Sequence, residues 1–138
     1  MKGKTDINWS VLDEETAPIL EQFVRGIYYG TANENGRPER VSERSIYRVL
    51  GLHNQNLEKL PKCKEILNKY SETYEENWAR KIIWAYNKLK EEKHKFYWSD
   101  IRTLSGVKKE HLHKINPFIK QKTDIKTATE IIRFLSTS

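Results

Sequence analysis

The run His53, Asn54, Gln55, Asn56 places an imidazole and three carboxamides in consecutive positions, with Lys59 close behind. Further along, Lys108, Lys109, Glu110, His111, His113 and Lys114 surround Leu112 and Ile115. A carboxamide can make paired hydrogen bonds to the N6 and N7 edge of adenine, and lysine or imidazole can meet base edges or phosphates. The competing reading of "HNQN" is a turn with an asparagine helix cap, since Asn favours both roles. His111 and His113 form an H-x-H pair with no third ligand near in sequence, so no metal is expected there.

The composition frames these runs. The chain has 138 residues, 37% hydrophobic and 32% charged, with a formal net charge of +6. The first 35 residues hold three basic and six acidic side chains, so the remainder carries +9. A basic body implies a polyanionic partner, nucleic acid first, unless the lysines only solvate helix faces. No apolar run approaches the ~20 residues that a bilayer needs, so no membrane association is expected. The start "MKGKTDINWS" has no apolar signal region, and Cys63 is alone, which excludes an internal disulfide and a cysteine zinc site. A reducing cytoplasm is the expected compartment.

The sequence offers nothing for catalysis or cofactor binding. There is no Gly-rich phosphate loop and no nucleophile motif. The pairs Glu14-Glu15, Glu75-Glu76 and Glu91-Glu92 read as solvated, and Asp13, Asp100 and Asp124 as caps or structural partners. A metal-dependent nuclease would need clustered carboxylates. The expectation is a protein that is no enzyme and needs no cofactor.

Apolar spacing is helical throughout, and the fold class expected is all-α. Ile19, Leu20, Phe23, Val24 and Ile27 define a helix to about Tyr29, with Pro18 near its first turn or kinking it. "GTANENGRPE" is a polar turn. Ser42 offers an N-cap to a short helix ended by Gly51, and Pro61 opens the next. Tyr74, Trp78, Ile82, Ala85 and Leu89 mark one long helix to about Lys93, which must also bury a second side to accommodate Trp84. Ser99 caps a short helix that stops at Gly106, Asn116-Pro117 interrupts the following segment, and Ile125 to Leu135 forms a closing amphipathic helix. The four tryptophans, Trp9, Trp78, Trp84 and Trp98, are expected in the core.

The short-helix regions repeat. Ile46, Gly51, Leu52, Leu57 and Leu60 match Ile101, Gly106, Val107, Leu112 and Ile115 at a spacing of 55, and Pro61 and Pro117 follow. A helix closed by a left-handed glycine, an apolar residue under the turn and a second helix make a helix-turn-helix unit, whose second helix reads the major groove. The expected architecture is therefore two helix-turn-helix units, residues 7–71 and 72–138, linked by the long central helix. The base-reading candidates are His53, Asn54, Gln55, Asn56, Lys108, Lys109 and His111. The phosphate candidates are Arg37, Arg40, Arg44, Arg48, Lys59, Arg102, Lys114, Lys120 and Lys122. The partner is double-stranded DNA, and a helical protein-interaction scaffold or a regulator-like DNA-binding module are the alternatives.

Several landmarks together resemble the TnsD/TniQ-type family, the target-site selectors of heteromeric bacterial transposons. They are "INW" at Ile7 to Trp9 with "LD" at Leu12-Asp13, "RVLG" at Arg48 to Gly51, and "NLEKLPK" at Asn56 to Lys62. "ARKIIWAYNKL" at Ala79 to Leu89 and "WSDIRTLSGV" at Trp98 to Val107 complete the set. Family members are several times longer and begin with a zinc-ribbon region, so the likeness is to a C-terminal DNA-binding part. The resemblance implies sequence-specific binding of a chromosomal attachment site and recruitment of the transposon's ATPase regulator and transposase subunits. It places the chain in a bacterial cytoplasm, associated with the nucleoid. Where the family often has arginine before the aspartate of its first motif, this chain has Leu12.

Overall fold

A computed structural model describes residues 8–42, 44, 46–47, 54–93 and 95–136, with residues 54–56 described by backbone alone. Among these residues the fold is all-α. The helices are α1 (Trp9–Tyr29), α2 (Pro61–Tyr70), α3 (Tyr74–Glu92), α4 (Trp98–Ser105), α5 (Asn116–Lys122) and α6 (Ile125–Ser136). Two six-residue 3-10 helices, Asn54–Lys59 and Lys109–Lys114, precede α2 and α5. None of the described helices is long and apolar enough to cross a membrane.

The helix ends follow local chemistry. The Asn8 side chain accepts the Val11 amide to start α1, and Gly30 ends it at φ 82, donating to the Ile27 carbonyl. Pro18 lies inside α1 on an exposed side, where water can satisfy the carbonyl it leaves free. Pro61 opens α2 at a position that needs no amide hydrogen. Ser71 closes α2, and Thr73 and Glu76 start α3 with reciprocal bonds of 3.1 and 2.9 Å. α4 starts two residues earlier than a Ser99 cap predicts, with Tyr97 at the cap: the Asp100 carboxylate accepts the Tyr97 amide at 2.8 Å, and charge at a helix N-terminus outcompetes a hydroxyl. Arg44, Ile46 and Tyr47 are helical, and the Ile46 amide bonds back to the Ser42 carbonyl. Gly51 and Leu52 lie outside the described residues.

Two apolar clusters divide the chain. The first gathers Leu20, Val24, Ile46, Leu57, Leu60 and Leu67, with α1 against α2. The second gathers Ile82, Tyr86, Ile101, Ile115, Ile119 and Ile131, with α3 against α4 and α5. The 55-residue repeat is visible here. The two 3-10 helices are offset by that spacing, and Leu57, Leu60, Leu112 and Ile115 are all buried.

The long helix α3 buries a second row, Ala79, Ile83 and Tyr86, but on the flank opposite Trp84, which is half-buried. It belongs to the second cluster rather than packing equally on both. It meets the first unit through charge. Arg80 pairs with Glu72 at 2.7 Å, donates to the Tyr28 carbonyl at 2.6 Å and lies 3.6 Å over the Tyr28 ring. Lys81 pairs with Glu39 at 2.9 Å. The outer position of the apolar stripe departs from expectation, since Tyr74 is 60% exposed. Trp9, Trp78, Trp84 and Trp98 are half-buried rather than core, because an indole on a helix of this width reaches the boundary of its cluster.

Candidate nucleic-acid interface

The second unit's surface is organised by the end of α4. Gly106 sits at φ 73, and its amide donates to the Arg102 carbonyl at 2.9 Å. A left-handed residue here sends the chain sharply away from the helix, and glycine takes it without a Cβ clash. Val107 is buried under the turn, its amide held by the Ser105 hydroxyl at 3.2 Å. Lys108 then caps the 3-10 helix, and the His111 amide closes its first turn on the Lys108 carbonyl at 3.1 Å.

An α-helical reading segment is what the repeat predicts, and both copies are 3-10 helices instead. Prolines account for this. A continuous α-helix would drive the Pro61 ring into the Leu57 carbonyl and the Pro117 ring into the His113 carbonyl. The chain therefore stays tightly wound up to each proline and restarts as α2 or α5. The inward residues, Leu57 and Leu60 or Leu112 and Ile115, fit a three-residue period.

The tighter winding decides which side chains align. Residues three apart eclipse one another, about 6 Å apart along the axis. His111 and Lys114 thus share one side, and Lys108 stands in extended backbone just before the helix. Lys109 falls with Leu112 and lines, with His113 and Asn116, an open cleft of about 260 Å³ against α6. Asn116 Oδ1 is buried there with no described partner.

The charge of the two units differs. Residues 72–138 contain 14 Lys or Arg against 9 Asp or Glu, whereas residues 7–71 contain nine of each. Arg102, Lys108, Lys109, Lys114 and Lys120 are exposed, and none makes an ion pair with a described residue. Lys122 is half-buried and pairs with Glu76 at 3.6 Å.

The first unit's arginines are largely committed inside the molecule. Arg37 pairs with Glu39 at 3.0 Å and reaches the Ser105 carbonyl at 3.5 Å. Arg40 donates to the Glu72 carbonyl at 3.0 Å and covers the Tyr74 ring at 4.2 Å. Both tie the loop after α1 to the second unit instead of facing solvent as phosphate contacts. Arg44 is exposed. Lys59 is exposed, with its ammonium 4.6 Å over the Trp9 ring. Arg48 and His53, and the side chains of Asn54, Gln55 and Asn56, lie outside the described residues.

His111 is not a free side chain. Its ring stacks on Trp78, centroids 3.9 Å apart and planes at 23°. Tyr74 lies 6.1 Å from Trp78 at a tilt of 32°. A column therefore runs from the Arg40 guanidinium through Tyr74 and Trp78 to His111, beside Lys108 and Lys114. Sequence reasoning assigned these aromatics to the core. The four-residue step from Tyr74 to Trp78 puts them on one helix face, but nothing local places His111 against that face.

The three aspartates among the described residues all serve backbone amides. Buried Asp13 accepts Lys62 at 2.9 Å and Cys63 at 3.1 Å, capping α2 from across the unit. Burial pushes the Asp13 carboxyl up, but those two amides bring it below the ordinary carboxylate range. Burial and the neighbouring Asp13 push the Cys63 thiol up to about 12, so it stays neutral. Asp100 bonds Tyr97, and Asp124 accepts Thr127 at 3.0 Å at the start of α6. Against known proteins, the chain matches no family model, no curated protein and no solved structure.

Proposed function

We propose that this chain is a sequence-specific double-stranded DNA-binding module that selects a transposon's attachment site. The second unit supplies most of the phosphate attraction, and the first contributes base choice through His53, Asn54, Gln55 and Asn56. The observation that carries the reading is the set of five exposed cations without ion pairs to any described residue, Arg102, Lys108, Lys109, Lys114 and Lys120. A helix surface that only needs solvation ordinarily intersperses acids, and residues 102–122 hold one acid against six basic residues. The transposition role, and recruitment of an ATPase regulator and transposase, rest on the resemblance given above. In that role the protein works in a bacterial cytoplasm on the nucleoid.

The test is duplex affinity against salt. Five neutralised phosphates give a slope of about −4.5 in log K against log salt, or roughly a 500-fold loss between 50 and 200 mM. A footprint on genomic fragments then locates the preferred site. A second reading, an interaction scaffold, is favoured by one feature: α1 exposes Val11 and Ile19, at 48% and 61%, beside Glu14 and Glu15. Absence of duplex binding at low salt would select that reading.

A further inference from the structure

We infer that Tyr74, Trp78 and His111 form a stacking site for one unpaired nucleobase, either extruded from a duplex or presented by a single strand. The inference rests on the nucleic-acid reading of the second unit. A column of rings at a basic surface differs from ordinary core packing in three ways here.

First, the column is open. Tyr74 is 60% exposed, and Trp78 and His111 are half-buried. Second, the column is closed at one end and loose at the other. Trp78 and His111 are in tight contact at 3.9 Å, whereas Tyr74 stands 6.1 Å from Trp78 and tilted by 32°. That pair is loose and tilted rather than a finished stack, and the exposed Tyr74 ring must swing outward for a flat ligand to stack between it and Trp78, gaining aromatic contact that the free protein lacks. Third, the flanks are cationic. The Arg40 guanidinium lies over the outer ring at 4.2 Å, fixed by its bond to the Glu72 carbonyl. Lys114 is exposed on the same side of the 3-10 helix as His111, and Lys108 is exposed immediately before that helix. A nucleotide offers a flat base joined to an anionic phosphate, which matches rings bordered by cations. Apolar ligands of the same shape would have no use for the lysines.

The site is tested with the full chain and three DNA probes of one sequence. They are a fully paired duplex, the same duplex with a single bulged 2-aminopurine, and the 2-aminopurine single strand. Base stacking on an aromatic is worth ~1–3 kcal/mol per base, so the bulged duplex should bind about 5- to 150-fold more tightly than the paired one, with 2-aminopurine fluorescence quenched. Tyr74→Ala should erase that preference and the quenching while leaving paired-duplex affinity unchanged, and Tyr74→Phe should retain both. Tyr74 is exposed enough for its removal to spare the fold, and unfolding of the variant without DNA checks this. The single strand separates the sources. Binding it at least as tightly as the bulge, with the same dependence on Tyr74, assigns the site to single strands. Equal affinity for paired and bulged duplexes, or a preference that survives Tyr74→Ala, overturns the stacking site and leaves duplex binding standing. No binding to any probe at low salt overturns both.

Discussion

Replacing Arg80 with methionine should be among the most damaging single changes available. The Glu72 side chain is 2% exposed and receives two guanidinium bonds, Nε at 2.8 Å and Nη2 at 2.7 Å. Without Arg80 its remaining side-chain bond is the Asn77 amide at 3.2 Å. The Tyr28 carbonyl also loses a donor, and the Tyr28 ring loses the plane stacked on it. Breaking a buried, well-formed pair by removing one partner destabilises by ~3–5 kcal/mol, because the remaining charge stays buried. For a chain of this size that corresponds to a fall of roughly 10–20 °C in Tm. Urea unfolding of the wild type, Arg80→Met, Glu72→Met and the double variant measures it. The double variant buries no lone charge, so its loss should be well below the sum of the singles. A loss under about 1 kcal/mol for Arg80→Met, or strictly additive singles, would refute the claim that this pair is desolvated and holds Arg80 against Tyr28 of the first unit.

Other consequences are open to measurement. Gly106→Ala places a Cβ at φ 73, 2.6 Å from Arg37 Nη1, and should lose about 1–2 kcal/mol in urea unfolding; no loss would mean the turn relaxes. Asp13→Asn cannot accept both the Lys62 and Cys63 amides and should lose ~1–3 kcal/mol at pH 7. Because the native Asp13 pKa is depressed, its contribution is fully present above the ordinary carboxylate pKa and is lost as pH falls through the lower native value. The gap between wild type and Asp13→Asn should therefore narrow below about pH 4. Lys108→Ala with Lys109→Ala should flatten the salt slope of duplex binding by roughly two and weaken all duplexes alike. Gln55→Ala should instead reduce discrimination between preferred and random duplex by ~1–3 kcal/mol, with the random-duplex affinity held.

What the sequence made legible was periodic or capped. The helix start at Pro61, the long helix closing near Lys93, and the glycine turn at Gly106 all follow from local rules about proline, apolar spacing and left-handed backbone. The fate of Arg37 and Arg40 was not legible. A run of arginines before a short helix is equally compatible with phosphate contacts and with partners in another unit. Only folding brings Ser105 and Glu72 to them.

The local winding was also missed, and it changes the chemistry of the site. On an α-helix, neighbours on one face stand three and four apart, so Lys108, His111 and Leu112 would compete for the same side. That arrangement mixes a buried leucine with the groups meant to face DNA. A 3-10 helix separates them: Leu112 and Ile115 turn inward, and His111 and Lys114 share another row. The proline that forbids a continuous α-helix is therefore also what sets His111 and Lys114 apart from the buried row. It brings His111 out of the run of charges and onto Trp78, a residue 33 positions earlier in the chain. The indole gave no signal of this pairing, because at helical spacing it reads as core. His111 reads from sequence as a group that meets bases, and nothing local places its ring on Trp78. The candidate site lies where a residue expected in the core and a residue expected at the surface meet.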